Sequence, residues 1–304
     1  MSTKIVRQNS TCIHCANVTL YAIWGEVKVG DYVDYTPNVA STSYSLLGTQ
    51  SGYSRDQTIA QESLKWRVLR KNADGSIDLI ADPTSKNVCF KGALGYNNGV
   101  YLLNDICEKL YSNTDKNVTA RSVNLDDMEK WLTDAGKNAR ANYSYAVKYG
   151  ETKTYTGGKA YRPDIYGKTE NENDKYYSAP TTNTYTPESG KATASDTLDA
   201  KQTYYYLSIN STNYGDGAKV LNDSNYHSYY WLAARYVVCY SWGYAGFGLR
   251  HANHYKDGYD MFYSADDAYY NNNSLRPVVS LRSDVQITPS TGTNGADNPH
   301  TIDW

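Results

Sequence analysis

Cys12 and Cys15 in "CIHC" have the spacing of half a tetrahedral zinc site. A structural zinc takes four ligands, and no second Cys or His pair with matching spacing follows. His14 is a poor third ligand, because it belongs to the same tight loop, so the sequence predicts free thiols here. His251 and His254 with Asp257 and Asp260 carry the residue types of an acid–base or metal cluster. They read rather as polar contact residues in loops, which requires no special geometry. "TGGK" at 156–159 lacks the spacing of a phosphate-binding loop. Cys239 stands alone in the C-terminal half and reads as a core or loop residue rather than a nucleophile. These residues predict no catalytic centre, no metal and no cofactor.

The elements that must position such residues belong to a chain of 304 residues with a formal net charge of -2. Its pI is near 6.2 and its mean hydropathy is -0.67. That balance gives no electrostatic reason to expect nucleic acid or an anionic membrane as partner. No run approaches the roughly 20 apolar residues of a membrane-spanning helix. "MSTKIVRQNS" lacks the apolar core of a secretory signal, which predicts synthesis in the cytoplasm. The cysteines number 5, an odd and scattered set that makes a poor disulfide framework. Tyrosine is the anomaly, 32 residues against 3 Phe and 6 Trp. A tyrosine buries like a hydrophobe yet keeps a hydroxyl to pair, which suits surfaces that stay soluble and still bind.

Residues 18–24, "VTLYAIW", alternate like a strand, and residues 1–24 resemble the end of a small repeat of bacterial surface proteins. "EVKVGDYVDYTP" and "LKWRVLRKNADGSIDLIAD" hold three strand-like stretches, with Ala73-Asp74-Gly75 turning a hairpin. A helix over 99–111 places Val100, Leu103, Ile106, Cys107 and Leu110 on one face. A second, over 124–132, starts at Asn124 as N-cap and buries Leu125, Met128, Trp131 and Leu132. Residues 150–202 read as a long polar insertion. Strand signals return at 203–209, 229–237, 246–252 and 275–281, with Pro277 at an edge or a strand start. The order strands, helices, strands is α+β. Residues 286–304 read as a turn-rich tail.

Between "YYWLAARYV" and "LRPVVSL" lies a stretch built almost wholly from Tyr, Asp, Asn, His and Ser. Trp231, Leu232, Phe247, Leu249, Leu275, Val278, Val279 and Leu281 are its predicted core. Arg235, Arg250 and Arg276, at the ends of strand-like segments, read as clamps on loop carbonyls. Around them Tyr240, Ser241, Trp242, Tyr244, His251, Asn253, His254, Tyr255, Asp257, Tyr259, Asp260, Tyr263, Asp266, Asp267, Tyr269, Tyr270 and Asn271 are the candidate ligand-binding residues. From Asn222 to Ser274 there is no Glu and no Gln. Asn, Asp, Tyr, Ser, His, Ala and Gly can all be reached by changing the first two letters of the asparagine codon AAC, whereas Glu and Gln cannot. Trp231, Trp242, Lys256 and Met261 fall outside that set.

"YYWLAARYV", "FGLR" and "LRPVVSL", with "WRVL", "LLNDICEKLYSN" and "ARSVN" earlier, resemble the variable proteins of diversity-generating retroelements in gut bacteria and their phages. The likeness covers roughly 25–285 and is strongest over 229–281. It implies a C-type lectin-like domain over 25–285, related to the formylglycine-generating enzymes, with two helices on a small twisted antiparallel sheet and a long irregular loop region. It also implies that adenine mutagenesis varies residues of about 229–275, and that the protein attaches to a protein or glycan on a bacterial surface, from a phage virion or a cell surface. An oligomer is compatible with that reading. Calcium-dependent sugar motifs of such lectins are missing, and the paired C-terminal cysteines of the related enzymes are reduced to Cys239. An enzyme of that kind, or a surface module of fixed sequence, is the alternative.

Overall fold

A strand whose consecutive residues are apolar needs cover on both faces. "WRVLRK", "IDLIA" and "PVVSL" are such strands, and in the computed structural model they belong to one sheet. The structure describes residues 27–142, 153–163, 185–194, 207–222, 229–239, 245–252, 259–263 and 270–304. The first strands are β1 (Tyr32–Val33), β2 (Ser43–Leu46), β3 (Gln57–Ala60), β4 (Trp66–Lys71), β5 (Ile77–Ala81), β6 (Asn87–Lys91) and β7 (Ala120–Ser122). After them come β8 (Lys153–Pro163), β9 (Tyr185–Ala194), β10 (Tyr230–Cys239), β11 (Ala245–Ala252), β12 (Tyr259–Tyr263) and β13 (Tyr270–Ser274). The last are β14 (Pro277–Leu281), β15 (Gln286–Thr288) and β16 (Thr301–Asp303). The helices are α1 (Gly48–Ser51), α2 (Gly92–Tyr111), α3 (Leu125–Glu129), α4 (Asp134–Ala141), α5 (Ser211–Tyr214) and α6 (Ala218–Leu221). Helices and largely antiparallel sheets make the described chain α+β.

The first sheet runs β1-β4-β5-β14-β7. Its period-2 alternation feeds two cores: Val68, Leu79 and Val279 enter one with α2, while Leu69, Ile80 and Val278 enter the other with α3 and residues 207–221. Each of these side chains contributes roughly 1.5–3 kcal/mol by leaving water. The β4–β5 turn falls at Asn72–Ser76, as the sequence predicts; Asn72 N–H donates to Ser76 O at 2.8 Å, and Gly75 takes a φ of 88° that a side chain would disfavour. Pro277 opens β14, where a missing N–H costs least.

Helix α2 has 20 residues and so starts seven positions before the predicted Gly99. The predicted face is buried, Val100, Leu103, Ile106, Cys107 and Leu110 all lying within the first core. α3 is capped as expected: Asn124 accepts from Asp127 N–H and Asp127 from Asn124 N–H, both at 3.0 Å. The helix ends at Glu129, although Leu132 remains buried. Thr133 then caps α4, an element the sequence reading leaves unassigned.

One expectation changes and two gain detail. Residues 207–209 are not a strand; Leu207 and Ile209 are buried beside Asn210, whose side chain caps α5. Inside the polar insertion, β8 and β9 pair as an antiparallel ribbon that runs beside β10 and β11. The tail packs into the domain: Ile287 and Ile302 pair in β15–β16 and join the first core, and His300 N–H donates to Tyr32 O at 2.8 Å. Residues 1–26, with Cys12, His14 and Cys15, lie outside the described residues. Among the described residues no helix is long and apolar enough to cross a membrane.

Candidate functional site

The Glu- and Gln-free stretch supplies four of the five strands of the second sheet, ordered β12-β11-β10-β13-β6. Trp231 fixes it to the earlier chain. Its side chain is fully buried, its Nε1–H donates to Val88 O at 2.9 Å, and its ring stands edge-on to Phe90 with centroids 5.6 Å apart. Leu249, also buried, faces α2 at Gly99, where an added Cβ would lie 2.2 Å from Leu249 Cδ1. A side chain at position 99 would force Leu249 to shift.

Arg276 behaves as the predicted clamp. It is fully buried and donates to Ala81 O at 3.0 Å, Leu221 O at 3.1 Å and Val220 O. Two of those carbonyls close α6, where the helix dipole favours a cation. The guanidinium also lies 4.6 Å from the centroid of the Tyr230 ring, whose hydroxyl donates to Leu221 O. Arg250 is buried in β11; the Arg235 side chain lies outside the described residues.

The β10–β11 ladder breaks once. Trp231 pairs with His251 and Arg235 with Leu249, leaving Leu232, Ala233 and Ala234 opposite Arg250 alone. The freed Ala233 N–H donates to Val123 O at 2.8 Å, and Leu232 enters the second core. The bulge therefore ties the candidate sheet to both cores.

Of the candidate residues, Tyr259, Asp260 and Tyr263 sit in edge strand β12, in register with Leu249, Gly248 and Gly246. Tyr270 and Asn271 sit in β13, opposite Lys91 and Phe90. The side chains of these five, with that of Phe247, lie outside the described residues. So do Tyr240, Ser241, Trp242, Tyr244, Asn253, His254, Tyr255, Asp257, Asp266, Asp267 and Tyr269. His251 departs from the expectation of an exposed contact: it is 1% exposed. Its ladder position opposite Trp231 puts it on the covered side of the sheet, where it meets the ring of Tyr229 edge-on. Register also sets a scale. Tyr263 pairs with Gly246 near one end of β11 and Tyr230 with Ala252 at the other, roughly 20 Å away at about 3.4 Å per residue.

Two polar clusters elsewhere could be mistaken for chemistry. Asp127 accepts from Arg121 Nη1 at 2.5 Å and Arg70 Nη2 at 2.8 Å, and Arg70 also pairs with Asp78 at 2.5 Å. Burial pushes the Asp127 carboxyl up, but hydrogen bonds and charge from Arg121, then Arg70 and the Asn124 N–H, hold it below the usual carboxylate range. Two cations and two anions cancel while joining β4, β5, β7 and α3, so the cluster is a structural tie.

His300 lies between Ser290 and Asp31, its Nδ1 3.3 Å from Ser290 Oγ and its Nε2 3.3 Å from Asp31 Oδ2. The Ser290 backbone N–H donates to Nδ1 at 3.0 Å, occupying the lone pair a general base would use. That cluster fastens the tail to β1. Burial raises the pKa of both Cys89 and Cys107, keeping their thiols protonated and unreactive. Among the described residues no three His, Cys, Asp or Glu converge as a metal site. An open cleft at the end of α2 is lined by Ser112, Asn113 and Thr114, whose side chains bond neighbouring backbone. No family model, curated protein or solved structure matches the chain.

Proposed function

We propose that the protein is a non-enzymatic, hypervariable ligand-binding protein diversified by a retroelement, with a C-type lectin-like fold. It attaches, as part of a phage virion or a bacterial cell surface, to a protein or glycan on a bacterial surface. One observation carries the reading: a tyrosine-rich stretch without Glu or Gln shares a single sheet with fully buried anchors, Trp231, Leu249 and Arg250, and leads into Arg276. Such a division separates positions that hold the backbone from positions free to change. Rigid aromatic rings supply contact area at small entropic cost, and Asn, Asp and Ser adapt hydrogen bonds around them. Support for the lectin-like fold is the strand–helix–strand order and the return of β14 beside β5.

The test is binding to arrays of bacterial surface proteins and glycans. The native chain is compared with a variant in which Tyr240, Trp242, Tyr244, His254, Tyr255, Tyr259, Tyr263, Tyr269 and Tyr270 become alanine. The reading expects binding that this variant loses while its circular dichroism stays native. Affinity that survives loss of all nine would place the ligand site elsewhere.

A further inference from the structure

We infer that Asn294, followed by Gly295, is a self-modification site, and that its conversion to aspartate or isoaspartate unlatches the tail from β1. β1 ends the first sheet, and Asn294 closes its open edge with one side chain. Oδ1 accepts from Tyr32 N–H at 2.7 Å and Nδ2–H donates to Tyr32 O at 2.9 Å, the pair of bonds a neighbouring strand would supply. Tyr32 O also accepts from His300 N–H at 2.8 Å, and His300 O from Asp34 N–H at 2.9 Å. The tail therefore lies along that edge with Asn294 as its clasp.

An asparagine followed by glycine can close on itself. The Gly295 backbone nitrogen attacks Asn294 Cγ; the new N–Cγ bond forms as the Cγ–Nδ2 bond breaks, and Nδ2 leaves as ammonia with the Gly295 proton. Water then opens the imide ring, its hydroxyl adding to either carbonyl and its hydrogen returning to the nitrogen. The product is aspartate or, where the chain runs on through the side-chain carbonyl, isoaspartate. Glycine hinders that approach least, having no Cβ. Neither space nor conformation demands glycine at 295: an added Cβ would meet nothing within 4 Å, and its φ lies outside the left-handed region. Its N–H is held only by a long bond to Asn298 O at 3.3 Å. The sequence has one other Asn-Gly pair, Asn98-Gly99. That pair lies inside α2, where Asn98 is fully buried and donates to Gln50 O at 2.9 Å. The helix also commits the Gly99 N–H to the carbonyl four residues back.

The clasp sets the order of events. A side chain bonded at both ends to Tyr32 does not turn onto Gly295, so the reaction runs in molecules whose tail has lifted. An ionised carboxylate has no donor. Aspartate keeps the bond from Tyr32 N–H but sets a second oxygen against Tyr32 O, and isoaspartate displaces the backbone by a methylene. Either product weakens redocking, so a transient opening is made permanent.

The experiment incubates the full chain in mildly alkaline and mildly acidic buffer and follows its peptides by mass spectrometry. Asn294 is expected to gain the mass of an amide turned to an acid, as a mixture of aspartate and isoaspartate. Conversion is faster in the alkaline buffer, because the attacking nitrogen must lose its proton. Asn98 stays an amide. Gly295→Ala, which the open space accommodates, loses most of the conversion at an unchanged melting temperature. Ile302→Ala removes a core contact of the tail and speeds the conversion. Asn294→Asp lowers the melting temperature by about 2 °C, as loss of one hydrogen bond does in a chain of this size, and speeds amide exchange at His300. Conversion at Asn294 no faster than at Asn98, or undiminished in Gly295→Ala, overturns the site. A rate unchanged by Ile302→Ala, or native exchange at His300 in Asn294→Asp, overturns the latch.

Discussion

Trp231→Ala removes a fully buried ring, its bond to Val88 O and its contact with Phe90. The expected cost is about 3–5 kcal/mol, measured by urea unfolding. Tyr229→Ala, at a half-exposed ring, is expected within about 1 kcal/mol of native in the same assay. Asp127→Asn leaves Arg70 with less charge to meet in a buried site, and about 3–5 kcal/mol is the expected loss. The sign of its pH dependence follows from the lowered pKa. A depressed carboxyl contributes stability that is present above its unfolded value, near 3.9, and is lost as pH falls through the folded value. Unfolding free energy should therefore drop below about pH 4, and Asp127→Asn should flatten that acid limb. An unchanged limb in the variant would assign the acid loss to other groups. At this scale the core was readable, because Leu249, Leu275 and Val279 are apolar in strand-like segments. His251 was not, because burial depended on a ladder partner, Trp231, twenty residues away.

Among elements, the hairpin turn and the buried face of α2 could be read from turn chemistry and period. The first turns of α2 could not. "GALGYNN" is rich in glycine and asparagine, and packing rather than propensity makes it helical. Residues 207–209 depart the other way: they end a stretch that reads as a strand, but Leu207–Ile209 find no ladder partner. Gly99 shows what packing demands. Gly99→Ala would gain about 1 kcal/mol of helix propensity and still lose stability, since overpacking against Leu249 costs about 1–3 kcal/mol. Leu249→Val in the same chain should relieve part of that loss, and a double-mutant cycle reads the coupling. Additive losses would mean that helix and strand do not meet there.

For the whole molecule, the place of the tail was not readable, because its sparse apolar residues carry little periodicity. Ile287 and Ile302 nevertheless belong to the first core, and Tyr32, Asp34 and Asn294 tie β1 to residues 294–302. Removing residues 286–304 is expected to lower the melting temperature by about 3–6 °C, what a loss of roughly 2–4 kcal/mol produces in a chain of this size. A truncated chain that melts like the native one would restore the tail to an appendage. The central claim is that a fixed frame carries a surface that varies. Sequencing this gene and its neighbourhood across independent isolates tests it most directly. The account predicts substitutions concentrated between 229 and 275, at codons that differ from a near-copy template only at its adenines, with Trp231, Leu249, Arg250 and Arg276 unchanged. Substitutions spread evenly along the chain, or equally frequent at those four residues, would contradict it.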